Sequence, residues 1–303
     1  MPDLKQLPEP GPHSRRLRGI LYILCAAFFF SLMSFFVKLS GDLPFWEKAF
    51  FRNFVAIFVS LYLLRRSGHN LRELPRSSLS ALFLRCLFGT AGLFLNFYAI
   101  GKMHIGDANM LNKMAPFFST LMSVFLLGEK PSRIDLLTLL VALLGAAFVV
   151  KPGSGIASLP ALLALLGGFF AGTAYTFIRK LGTHGVYGPI IVFAFSLFSA
   201  LSSIPMTLLH FAPMTAAQLL CLLLGGCAAA AAQLAVTAAY TYAPAREISV
   251  FDYTQVLFAS LLGLLFLGER PDRCSLIGYL LIIGTAVAKW GYGMRKEKMR
   301  KQV

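Results

Sequence analysis

The chain has 303 residues, of which 57% are hydrophobic and 14% charged, and its mean hydropathy is +0.71. A soluble domain carries about 25% charged residues, so this chain lacks the polar surface to coat a water-soluble fold. Its net charge of +15 is confined to tails, short turns and a few intramembrane positions, which argues against the nucleic-acid partner that a basic composition otherwise suggests.

In chain order, residues 1–17 form a short, basic, proline-bearing tail. The apolar stretch behind it is longer than the core of a cleaved signal peptide and has no small-residue cleavage site after it, so it reads as a retained signal anchor. A spanning helix needs about 20 largely apolar residues, and only helices or closed barrels satisfy their backbone groups in lipid. The apolar runs here are too long and continuous for barrel strands. Four spans lie within the charge-free stretches Gly19 to Val37, Pro152 to Ile178, Gly185 to Leu209 and Phe211 to Ala245. The others reach spanning length only by carrying a charge into the bilayer. The resulting fold is all-α and polytopic, with ten transmembrane helices at 18–39, 44–65, 78–101, 105–127, 133–151, 155–179, 187–210, 215–242, 246–267 and 273–294. A basic tail, 295–303, follows.

An even number of spans puts both termini on one side. That side holds most of the 28 Lys and Arg, in the N-terminal tail, in the turn with Arg65, Arg66, Arg72 and Arg76, and in the C-terminal tail. The opposite side has Lys38, Lys48, Lys102, Lys151, Arg270 and Arg273. The positive-inside rule therefore places both termini in the cytoplasm, with the protein in the cell (inner) membrane. The five cysteines have no metal-type spacing and read as small packing residues.

Comparing the chain with itself exposes a repeat. Phe125-Leu126-Leu127-Gly128-Glu129-Lys130-Pro131 closes the fourth span, and Phe266-Leu267-Gly268-Glu269-Arg270-Pro271 closes the ninth. Each is followed by a span rich in Leu and Gly. Each is preceded by about 20 apolar residues and, before those, a Tyr-containing helix end (Tyr98, Tyr240). Two five-helix repeats result, 18–151 and 155–294. Because five is odd, the second enters the membrane from the opposite face, which is inverted-topology symmetry. In carriers, such repeats place the substrate site near mid-bilayer between the halves and support alternating access.

The segment Arg85 to Lys130, with Gly89, Asn96-Phe97-Tyr98, Asp107-Ala108, Ala115-Pro116 and its terminal Leu-Gly-Glu-Lys, resembles the first EamA-type repeat of the drug/metabolite transporter superfamily. Gln233 to Arg270, with Tyr240, Ala243-Pro244-Ala245, Phe251-Asp252-Tyr253 and Leu-Gly-Glu-Arg, resembles the second. The resemblance covers nearly all of the chain except its tails. It implies a ten-helix carrier whose cavity is lined by spans 1 to 4 and 6 to 9, with spans 5 and 10 peripheral. It does not imply a substrate.

An ionisable group at mid-bilayer costs about 2.5 to 3.5 kcal/mol on insertion scales, so it is expected to face a cavity or a partner. Span 4 carries Asn109, Asn112, Lys113, Pro116, Ser119, Thr120 and Ser123 as one helical stripe. Span 3 offers Arg85, Gly89, Gly92 and Asn96. Span 8 offers Gln233, Thr237 and Tyr240, and span 9 offers Asp252, Tyr253 and Gln255. Span 2 adds Lys48 and Arg52. The serine stripes of spans 1 and 7 suit helix packing better than solute contact.

At 1.5 Å per residue, Lys113 lies about 12 Å from one face and Asp252 about 9 Å from the other, so the two flank the midplane. They are expected on opposite walls of one cavity, paired when it is empty. The expected substrate-binding set is Arg52, Arg85, Asn96, Asn109, Asn112, Lys113, Gln233, Tyr240, Asp252 and Tyr253. Arg85 also lies close enough to the cytoplasmic face to snorkel, and Arg52 to pair with Glu47 or a lipid phosphate. Lys289 reads as an interface anchor, and Asp107 as a cap for span 4. Glu129 and Glu269 are expected to contact nearby backbone or Lys130 and Arg270.

Three cations against one acid favour an organic anion or amino-acid-like solute. A drug or cationic-solute exporter remains the alternative if Asp252 dominates. Asp252 is the candidate for a coupling proton, and exchange without protons fits equally. An enzyme is disfavoured, since the histidines sit mostly in loops or at span ends and no metal-protease or phosphate-loop motif occurs. No cofactor or metal is expected, and the partners are a small solute and membrane lipid. A channel or assembly subunit is distinguished by flux that does not saturate.

Overall fold

In a computed structural model, residues 12–68, 74–128, 132–151, 158–242 and 248–300 are described, and they contain helix and no strand. The helices are α1 (Pro12–Leu39), α2 (Phe45–Ser67), α3 (Leu79–Lys102), α4 (Ile105–Asn112), α5 (Ala115–Leu127), α6 (Arg133–Val150), α7 (Ser158–Thr183), α8 (Gly188–Leu209), α9 (Ala216–Tyr242), α10 (Thr254–Phe266) and α11 (Arg273–Arg300). A short 3-10 turn, Ser249–Tyr253, leads into α10. Eight stretches are long and apolar enough to cross a membrane, and 250–266 is a shorter apolar one. α2 has spanning length but carries Glu47, Lys48 and Arg52 in its first half. With α4 and α5 as one broken span, the chain is a ten-span, all-α membrane protein.

The packing pattern has a two-fold character. α1 of the first repeat packs along α9, the third span of the second, while α3 packs in the same way along α7. The second spans, α2 and α8, pack on each other, as do the fifth, α6 and α11. Exchanging the repeats maps this set of contacts onto itself, as expected for two copies of one five-helix unit. Small residues let the backbones approach closely. A Cβ on Gly145 would lie 3.0 Å from the Gly278 carbonyl, and one on Gly92 would lie 3.0 Å from that of Gly167.

The fourth and ninth spans depart from the unbroken helices that their apolar length suggests. In the fourth, Pro116 has no N–H to give the Asn112 carbonyl, and its ring crowds that carbonyl. The helix stops at Asn112, Lys113 adopts φ −70°, ψ 1°, and the chain resumes at Ala115 through tight bonds from Met114 N to Leu111 O and from Phe117 N to Met114 O. In the ninth span the 3-10 turn Ser249–Tyr253, which holds Asp252, interrupts the helix just before α10. Both irregularities fall at equivalent positions, because Asn112 and Lys113 match Asp252 and Tyr253 when the two Gly-Glu motifs are aligned. Irregular backbone at membrane depth has to be satisfied by protein or line a cavity. Here the Tyr253 hydroxyl donates to the Lys113 carbonyl at 3.2 Å, so each break supports the other. Gly168 and Gly172 of α7 make room for the fourth-span break, since a Cβ there would lie 2.7 Å from Leu111 O or 2.5 Å from Ala115 O.

Polar groups close the end of the molecule opposite the termini. Glu269 accepts the Ile105 N–H at 2.8 Å and pairs with Lys38 at 3.2 Å, and Lys38 also donates to the Met103 carbonyl at 2.8 Å. Lys48 donates to the carbonyls of Gly41 (2.6 Å) and Val37 (3.1 Å) at the end of α1, where the negative pole of the helix attracts a cation. Glu47 accepts the Ala212 N–H at 2.7 Å. Between α6 and α11, Lys151 meets Asp272 at 2.7 Å and holds its carboxyl below the usual aspartate range.

Several sequence expectations change as a result. Glu269 acts on Lys38 and on the start of α4 rather than on Arg270, because the turn after α10 folds back over α4. Asp107 does not cap α4, since its buried carboxylate accepts the Tyr279 hydroxyl at 2.7 Å while Glu269 takes the capping role. Lys48 is committed to carbonyls and Glu47 accepts the Ala212 amide, and no Glu47–Arg52 pair forms among the described residues. Glu129 lies outside the described residues. Among the cysteines, Cys86 is buried, whereas Cys25, Cys227 and Cys274 are exposed on the protein surface.

Candidate functional site

A cavity of about 980 Å³ lies between the repeats. Its walls come from mid-helix levels toward the face bearing the termini, through Arg52 to Leu63 of α2, Ala171 to Arg179 of α7, Gly188 to Ser196 of α8 and Ala286 to Gly293 of α11. The sealed end described above closes the opposite side.

Eight of the ten expected residues line this cavity: Arg52, Arg85, Asn96, Asn112, Lys113, Gln233, Asp252 and Tyr253. Asn109 does not. Its side-chain oxygen accepts from Gln255 Nε2 at 2.6 Å and Ser34 Oγ at 3.1 Å, while its amide donates to the Ile105 carbonyl at 2.7 Å. It is a buried tie between α4, α1 and α10 behind the cavity wall. Tyr240 belongs to α9, but its side chain lies outside the described residues.

The breaks in spans 4 and 9 bring the main ion pair together. Lys113 Nζ donates to Asp252 Oδ2 at 2.5 Å, across from one repeat to the other. Asp252 Oδ1 is buried and has no hydrogen-bond partner among the described residues. A second pair, Lys289 with Asp135 at 2.8 Å, stands where α11 meets α6, with Thr120 at 3.5 Å from the same ammonium. Lys289 therefore lines the cavity instead of anchoring in the interface, and span 10 is a wall rather than a peripheral helix. The signal was present in the sequence, as Asp135 and Lys289 sit near the same-side ends of the two fifth spans. The capping box at Ser132 to Asp135 makes the acid look purely structural.

Arg52 and Arg85 are different. Among the described residues neither has a carboxylate partner. Arg52 donates from Nη1 to Asn53 Oδ1 at 2.6 Å, and Asn53 is held by the Ala49 carbonyl and Ser199. Arg85 is only 8% exposed and makes no hydrogen bond among the described residues. Both guanidinium groups approach the ring of Phe195, at 5.6 Å and 4.4 Å from its centroid. Neither pairing with Glu47 nor snorkelling describes them. Phe195 was missed from sequence because one Phe among 28 carries no pattern of its own. Tyr175, Trp290 and Phe117 add aromatic wall. With the two ion pairs neutral, Arg52 and Arg85, which have no carboxylate partner among the described residues, make this wall of the cavity positive, and a low-dielectric surround strengthens their field. Among the described residues no cluster of His, Cys, Asp and Glu has the makings of a metal site.

Known proteins agree with this architecture. The profile of the EamA-like transporter family matches residues 17–151 and again 158–288. The pseudopaline exporter CntI of Pseudomonas aeruginosa (strain UCBPP-PA14) is 34% identical over 274 residues, covering 89% of this chain and 95% of that protein. A riboflavin transporter of Rhizobium johnstonii is 28% identical and covers 98% and 99%, and human solute carrier family 35 member G1 is 26% identical and covers 94% and 82%. A solved crystal structure at 17% identity shares the fold, with a TM-score of 0.65 over 92% of this chain and 98% of that one. Two matched repeats, ten spans and a cavity between them lead to one conclusion: the chain is a multi-pass membrane transporter belonging to the EamA-like transporter family, within the drug/metabolite transporter superfamily.

Proposed function

We propose that this transporter carries a small organic anion or zwitterion across the cell membrane by alternating access, with both termini in the cytoplasm. The observation that carries the anionic reading is the pair of buried guanidiniums, Arg52 and Arg85, without a carboxylate partner among the described residues. An uncompensated buried charge is costly, and a cavity that holds two is stabilised when a negative group enters. Asn96, Asn112 and Gln233 supply neutral hydrogen-bonding groups, and Tyr175 and Trp290 supply apolar surface for the rest of the solute. The cationic-drug alternative is less well supported, because the acid that lines the cavity, Asp252, is already neutralised by Lys113.

Alternating access is supported by an open cavity toward the termini and a polar seal on the other side. Opening outward requires the Lys38–Glu269–Ile105 contacts to part and the two repeats to rock. The Lys113–Asp252 pair spans the repeats, so a bound solute that competes for either partner loosens a contact that rocking has to break. Asp252 is also the group suited to exchange a proton in that step.

A thermal-shift screen of the purified protein against fractionated metabolite pools tests the reading, since a ligand selective for the folded form raises its apparent stability. Anionic fractions are expected to raise the melting temperature of the wild type and to lose that effect in Arg85→Ala. A response confined to neutral or cationic fractions would overturn the anionic assignment.

A further inference from the structure

We propose that Phe195 and Gly89 are specificity-determining positioning residues that hold Arg52 and Arg85 as one paired seat for a dianionic group, a dicarboxylate or a phosphate monoester. This rests on the anionic reading above and names the class of anion.

Two guanidiniums about one ring repel each other, and the usual remedy is a carboxylate between them. Here the ring itself is the shared neighbour. Its negative face attracts both cations without using any of their N–H donors. Arg85 therefore keeps its whole fork of five donors clear of protein acceptors among the described residues, and Arg52 gives one contact to Asn53. Gly89 supplies the space, since a Cβ there would lie 1.9 Å from Arg85 Nη1 and 3.0 Å from Phe195 Cε2. Any side chain at position 89 displaces the guanidinium, the ring or both. Gly89 lies one turn after Arg85 on the same face of α3, and the Arg85 guanidinium turns into the gap that Gly89 leaves.

A paired fork of this kind favours two negative charges over one. Planar, bidentate guanidinium contacts suit carboxylate and phosphate oxygens, and the mutual repulsion of the two cations is relieved fully only when both are compensated. A monoanion leaves one buried charge uncovered, which is costly.

The test titrates the full-length purified protein with glutarate, phenyl phosphate, butyrate and neutral glutaramide, following melting temperature and tryptophan fluorescence. Glutarate and phenyl phosphate separate the two sources of the dianion. The wild type is expected to bind at least one of them about tenfold more tightly than butyrate, and glutaramide not at all. Phe195→Leu and Gly89→Ala are expected to weaken dianion binding about tenfold and to bring the dianion-to-butyrate ratio close to one. Phe195→Tyr is expected to keep that ratio, because the ring face is retained. Ligand-free melting temperature and elution profile identify a variant that merely misfolds, and Phe195→Leu stands in if Gly89→Ala does. Equal affinity for butyrate and the dianions in the wild type, or an unchanged ratio in folded Phe195→Leu, overturns the paired seat and leaves the anionic reading standing. Absence of binding by every anion overturns both.

Discussion

At the residue scale, the cavity separates charges that pair with each other from charges that have no carboxylate partner among the described residues. Lys113 and Asp252 neutralise each other, so removing one leaves the other buried and uncompensated. Lys113→Ala and Asp252→Asn are each expected to cut the initial rate of solute uptake at least about tenfold, with the double variant less impaired than the sum of the two, as read from proteoliposome uptake. Near-normal uptake in both single variants would remove the pair from the mechanism. Sequence places these two residues on either side of the midplane, because an ionisable group in an apolar span is conspicuous on its own. It does not reveal that Asn109 is spent on Ser34 and Gln255, since a buried amide tie and a solute contact look the same in a helical stripe.

At the scale of elements, the fourth and ninth spans differ most from their sequence appearance. Pro116 was visible, but the irregularity at the equivalent place in the ninth span was not, because no proline marks the turn at Asp252. The α7 glycines fit the fourth-span break so closely that Gly172→Leu is expected to destabilise the fold by about 1 to 3 kcal/mol through overpacking, measured as a lower melting temperature in detergent. The seal at the far end depends on Glu269. Glu269→Gln keeps an acceptor for the Ile105 N–H but removes the negative charge that pairs with Lys38. It is expected to increase labelling, by a membrane-impermeant thiol reagent added outside, of a cysteine placed at Asn112. Unchanged labelling would show that this contact does not hold the side opposite the termini shut. The neighbouring Lys151–Asp272 pair is more exposed and contributes about 0.5 kcal/mol or less. Because the folded pKa of Asp272 is lowered, its contribution is present above the ordinary aspartate pKa and lost as pH falls through the lowered value. Asp272→Asn is therefore expected to lower the melting temperature slightly at neutral pH and to make no difference in strong acid.

At the scale of the whole molecule, the ten spans, the repeat and the cavity's location between the halves were legible from apolar length, from the matching Leu-Gly-Glu motifs and from the odd number of spans per repeat. Those features are long-range and redundant. The aromatic ring that gathers Arg52 and Arg85, and the Lys289–Asp135 pair that makes span 10 a wall, depend on how α3 meets α8 and how α6 meets α11, and a single sequence does not encode such crossings in any local pattern. The account as a whole requires the cavity to be a saturable, two-sided solute site that depends on unpaired cations.

Counterflow in proteoliposomes tests this most directly, using the metabolite returned by the thermal screen as internal load and its labelled form outside. Labelled uptake is expected to saturate, to be stimulated by the internal load, and to fall to background in Arg52→Ala/Arg85→Ala. Uptake that neither saturates nor responds to internal load, or that survives in the double variant, would contradict the account.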